Sequence, residues 1–187
     1  MIKLSRRGVA AAAALLAAGT GSLTWAATTA SAATASPAAR TASATSGYIP
    51  RCAPANLAVW VNADTADGAA GTIYYHLEYT NTSGATCHLY SWPGVSAVNS
   101  AKQQLGAAAQ HTGGASASYV NIPAGGTAHS LLGYVDVQVT PACKPVTATF
   151  LKVYPPDDKS ARYAFFPERV CTTKTADLVV GRVQPGA

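Results

Sequence analysis

Residues 72–80, Thr-Ile-Tyr-Tyr-His-Leu-Glu-Tyr-Thr, alternate without a break, and that alternation constrains the chain more than any other feature. Ile73, Tyr75, Leu77 and Tyr79 fall on one face; Thr72, Tyr74, His76, Glu78 and Thr80 fall on the other. A period of two in β-branched and aromatic residues defines a strand with one buried face. Asn81-Thr82-Ser83-Gly84 then suits a turn, with Gly84 free to take positive φ. Cys87-His88-Leu89-Tyr90 resumes the extended pattern, so the unit reads as a β-hairpin, closed by Trp92-Pro93-Gly94. Residues 95–98 read as one more short strand.

Tyr79-Thr80-Asn81-Thr82-Ser83-Gly84, Cys87-His88-Leu89 and Pro93-Gly94-Val95 form a spaced motif. It continues through Gln104-Leu105-Gly106 and Ile122-Pro123-Ala124-Gly125-Gly126-Thr127-Ala128. This combination resembles the domain of unknown function 4232 (DUF4232) family, found in secreted proteins and lipoproteins of high-GC Gram-positive bacteria. The resemblance begins near Cys52 and runs to about Cys171. It implies a compartment and a fold and supplies no site residue.

The N-terminus agrees with export. Lys3, Arg6 and Arg7 precede an alanine-rich run over residues 8–18, and Ala30-Ser31-Ala32 fits a cleavage site, so residues 1–32 read as a signal peptide. Ser5-Arg6-Arg7 hints at twin-arginine export, but the general route is preferred. No cysteine stands near the cleavage region, in contrast to the lipoproteins that share the motif, so a secreted product, free or held by the cell wall, is expected. Residues 33–47 are mostly Ala, Ser and Thr, with one proline and one charge, Arg40, and read as a flexible linker, leaving 48–187 as the folded domain.

The chain has a formal net charge of +5, but losing the three leader charges leaves ten basic residues against eight acidic, about +2. With no Lys/Arg cluster after the leader, nucleic acid is not an expected partner. Four cysteines, Cys52, Cys87, Cys143 and Cys171, imply two disulfides in an exported chain. Three connectivities are open. The preferred one pairs Cys52 with Cys87 and Cys143 with Cys171, each closing a loop of roughly thirty residues and contributing about 3–4 kcal/mol. A four-cysteine zinc site is disfavoured, because no Cys-x2-4-Cys pair exists.

Further strands are predicted at residues 57–61, 118–122, 127–139 and 177–183. A second hairpin, residues 146–153 with 161–166, turns at an exposed tip over 155–159. Residues 64–71 and 107–116 read as loops, the second a candidate binding rim with the 155–159 tip. The fold expected is all-β: an antiparallel immunoglobulin-like sandwich of about eight or nine strands with two disulfides and no membrane span in the mature form. A closed barrel is the alternative.

His76 and Glu78 share a strand face, and a hairpin register would set His88 opposite Glu78, a candidate zinc or copper set. The competing reading is an outward sheet face that needs polar side chains. No Gly-x-Ser-x-Gly elbow exists, His129-Ser130 lies within a predicted strand, and no paired carboxylates are marked, so catalysis is not expected. Trp60, Trp92 and Tyr119 are the ligand-binding candidates, Trp60 being out of phase with Leu57, Val59 and Val61. The reading is a monomeric, non-catalytic binding or structural module without cofactor, its partner an extracellular protein or a cell-wall glycan. The alternatives are a zinc or copper protein, or a protease inhibitor or hydrolase; Pro141-Ala142-Cys143-Lys144-Pro145 is the candidate inhibitory loop.

Overall fold

The computed structural model describes residues 47–114, 116–138, 140, 143–172 and 177–187, all within one compact unit, Ala44–Ala187. The leader, the linker up to residue 46, Val139, and Pro141 and Ala142 of the candidate inhibitory loop lie outside the described residues.

A single 3-10 turn, Pro54–Asn56, precedes the first strand. The strands are β1 (Leu57–Ala69), β2 (Thr72–Asn81), β3 (Cys87–Tyr90), β4 (Gly94–Val98), β5 (Gln110–His111) and β6 (Tyr119–Ile122). They continue as β7 (Thr127–Val135), β8 (Pro145–Thr147), β9 (Phe150–Tyr154), β10 (Arg162–Phe165), β11 (Arg169–Cys171) and β12 (Leu178–Pro185). They form a five-stranded sheet ordered β1-β2-β7-β12-β5, a three-stranded sheet β10-β9-β4, and the pairs β11-β8 and β3-β6.

Strand β2 behaves as its alternation requires. Leu77 and Tyr79 are fully buried, and Ile73 and Tyr75 pack against the same core. One apolar cluster joins the inner face of the large sheet (Leu57, Leu132, Val180) to Val95, Leu151 and Val153 of the three-stranded sheet and to Leu89 and Ile122 of β3 and β6. The fold is all-β, and Cys52 is bonded to Cys87 and Cys143 to Cys171.

The structure corrects the strand pairing. Strand β3 is not the hairpin partner of β2. Both edges of β2 are taken, by β1 on one side and β7 on the other, so β3 pairs with β6 in a separate sheet. Residues 64–69 are not loop but the outer half of β1, with four residues opposing one of β2 between Asn62 and Asp67. The segment 107–116 contributes β5, which runs parallel to β12, an exception to the expected antiparallel pairing. The predicted second hairpin is present as β9 and β10, but its residues 146 and 147 belong to β8, which pairs with β11.

Candidate functional site

The outer face of the five-stranded sheet holds the first group of candidates. Trp60 and His129 are the cross-strand partners of Glu78, and Asn62 and Leu131 are those of His76. Glu78 is only 1% exposed although it points away from the core, because these neighbours cover it. Its Oε1 accepts from Asn62 Nδ2 at 2.6 Å, while its Oε2 is buried without a protein partner, as is Nδ1 of His76. The His76 and His129 rings stack at 4.1 Å, 12° from parallel. Burial, and next the neighbouring His129, push the His76 pKa down, with Glu78 pulling it up.

This cluster is not the expected metal set. His88 lies on β3, in another sheet, with its Nδ1 2.8 Å from the Ile49 carbonyl. Zinc needs in-plane lone pairs that converge, and two nearly parallel imidazoles direct theirs side by side. Among the described residues no group of three or more His, Cys, Asp and Glu is placed to hold a metal ion.

Hydrolytic chemistry finds no assembled apparatus in the residues singled out. Ser130 is fully buried, with its Oγ 3.5 Å from the Tyr79 hydroxyl, whereas His129 faces outward with its Nδ1 2.9 Å from the Gly186 carbonyl. Adjacent strand residues point to opposite faces, so the two cannot meet. Tyr75 and Tyr134 both donate to the Glu168 carboxylate, at 3.3 and 3.0 Å. Burial first, then Glu168, pushes both phenol pKa values up, so the hydroxyls serve as donors rather than bases.

The aromatic candidates separate clearly. Trp92 is half-buried, its indole donating to the Thr112 carbonyl at 2.8 Å and stacked on His111. Trp60 is 42% exposed beside Glu78. Tyr119 is 67% exposed, tilted against Tyr90 at 4.6 Å and edge-on to His88 at 4.9 Å. With Tyr48, Ile49, His88 and Asn121 it lines an open cleft of about 350 Å³. The strand pair β3-β6 positions the three rings on its outer face: His88 opposes Asn121, and Tyr90 opposes Tyr119.

A second aromatic surface was not singled out from the sequence. Phe150 and Tyr154 on β9 and Tyr163 and Phe165 on β10 share the outer face of the three-stranded sheet, with Lys102 and Lys152 over two of the rings. The signal was there, in the alternation Phe-x-Lys-x-Tyr and Tyr-x-Phe.

A family model described as domain of unknown function (DUF4232) matches residues 52–185. No curated protein and no solved structure matches the chain.

Proposed function

We propose that this chain, which belongs to the DUF4232 family, is exported and acts as a non-catalytic binding module of the extracellular space or cell envelope. Two features support export. The N-terminus has a basic, apolar and small-residue pattern, and the two disulfides suit an oxidising compartment.

The observation that carries the binding role is the Tyr119 cleft. A ring two-thirds exposed, braced from behind by Tyr90 and His88, offers a rigid apolar plane at little entropic cost. Asn121 supplies an amide at the rim. That pairing of a flat ring with a hydrogen-bonding edge suits a sugar residue of a wall glycan, and the cleft is within the size range of small-ligand sites.

Co-sedimentation of the protein with intact cell-wall material, at low and high salt, tests this. Salt-resistant pelleting is expected, weakened roughly tenfold by Tyr119→Ala. No pelleting at either salt, or pelleting indifferent to Tyr119→Ala, would refute it.

A further inference from the structure

We infer that the outer face of the three-stranded sheet is a second, independent binding surface, for an acidic polysaccharide. Sugar rings would lie on Phe150 and Phe165, and acid groups would meet the ammonium groups of Lys102 and Lys152.

The face is built by strand alternation. Leu151, Val153 and Ala164 point into the core and are buried, which sends Phe150, Lys152, Tyr154, Tyr163 and Phe165 to the opposite side. Phe165 opposes Phe150 and Tyr163 opposes Lys152 across the two strands. Phe150 meets Phe165 at 6.2 Å and Tyr163 at 6.5 Å, both edge to face, so the rings brace one another. Phe165 is nevertheless 65% exposed and Tyr163 36%. From Phe150 to Tyr154 the row spans about 13 Å, long enough for more than one sugar unit.

Charge selects the ligand. Lys102 Nζ lies 4.4 Å from the Tyr163 ring centre, and Lys152 Nζ 5.0 Å from that of Tyr154. Strands β4, β9 and β10 contain no acidic residue. Those nearest in sequence are Glu168, three residues beyond Phe165, whose carboxylate is held by the hydroxyls of Tyr75 and Tyr134 from the core cluster, and Asp157 and Asp158 in the connection beyond Tyr154, where the Asp158 carboxylate accepts the Ser160 amide at 2.7 Å. The face is therefore apolar and cationic. An uncharged glycan would gain nothing from the two ammonium groups. A membrane surface would favour rings that reach beyond the cations into the acyl boundary, whereas here the cations lie over the rings.

The test is titration of the full chain with polygalacturonate at low ionic strength, beside its methyl ester and vesicles of phosphatidylglycerol. Polygalacturonate is expected to bind, and its methyl ester to bind more weakly. Binding should fall roughly tenfold in Phe165→Ala and in the double variant Lys102→Gln/Lys152→Gln, and remain unchanged in Tyr119→Ala. Since these side chains lie on the surface, loss of folding would not account for the loss. Equal binding of the ester, indifference to both variants, capture by vesicles but not by polygalacturonate, or no binding to any of the three would each overturn the inference. None of those results bears on the Tyr119 cleft.

Discussion

Asn81 shows what the family motif does physically. It is fully buried, and its Nδ2 contacts the carbonyls of Ala85, Ile122 and Pro123 at 2.8, 3.0 and 3.2 Å. Its Oδ1 accepts from both the amide and the hydroxyl of Ser83, at 2.9 and 2.7 Å. One side chain thus ties the turn after β2 to the Ile122-Pro123-Ala124-Gly125-Gly126 turn. Gly126 is needed there because a Cβ would come within 2.7 Å of the Pro123 ring. Asn81→Ala would strand several buried polar groups and should cost about 3 kcal/mol in urea unfolding. Each turn was legible in the sequence from its own residues. The bond between them was not, because the partners lie some forty positions apart. The same limit hid the partner of His76: local alternation put it beside Glu78, but only sheet pairing reveals His129. Since His76 is held below its ordinary pKa, the folded state binds its proton less readily than the unfolded chain. Its contribution to stability is therefore present above the unfolded value of about 6.5 and lost as pH falls through the depressed folded value. His76→Gln should flatten that part of the stability–pH curve, measured by urea unfolding from pH 7.5 to 5.

Strand β1 is where element-level reading failed most. Residues 64–69, Asp-Thr-Ala-Asp-Gly-Ala, have little β propensity, and their composition reads as loop. Tertiary pairing overrides it. Ala69, Gly68 and Asp67 pair with Thr72, Ile73 and Tyr74, and the Thr65 hydroxyl accepts the His76 amide at 2.8 Å inside the bulge. The connection is a two-residue turn, Ala70-Gly71, with φ of 51° and 79°. Positive φ at both central positions matches the right-handed twist of a hairpin, and alanine is poorly suited to the first of them. Ala70→Asn should therefore stabilise the fold by about 0.5–1 kcal/mol, seen as a higher urea midpoint with an unchanged slope. A related constraint acts at Gly133. A Cβ there would meet Val179 at 2.7 Å and the Tyr74 ring at 2.8 Å, so the ring covers a gap that only glycine leaves. The strands legible in advance were those whose alternation is strong, β2 and β9 above all. Strand β5 was lost in its glycine- and alanine-rich segment, because two residues carry no period.

Across the whole molecule the two disulfides compensate for unevenly distributed sheet pairing. Strands β1, β2, β7 and β12 of the large sheet are held by long ladders, whereas β3-β6 has four paired positions and β11-β8 has three. Each bridge serves one of these short pairs. Cys52–Cys87 fastens the segment before β1 to β3, beside the Arg51–His88 bridge, and Cys143–Cys171 joins the residues before β8 to the end of β11. Their sequence separations, 35 and 28, are close enough that chain entropy alone assigns both about 3–4 kcal/mol. Packing distinguishes them. Cys52 and Cys87 are both buried in the apolar cluster with Leu89 and Ile122, whereas Cys143 is only half-buried. Replacing Cys52 and Cys87 by serine should thus cost more than replacing Cys143 and Cys171, since it sets two hydroxyls in buried positions against one, at Cys171. Thermal unfolding of the two double variants measures the difference, with a drop of roughly 10 °C expected for Cys143→Ser/Cys171→Ser and a larger one for Cys52→Ser/Cys87→Ser. Equal drops would mean that loop closure alone sets both values and that the core around β3 tolerates the change.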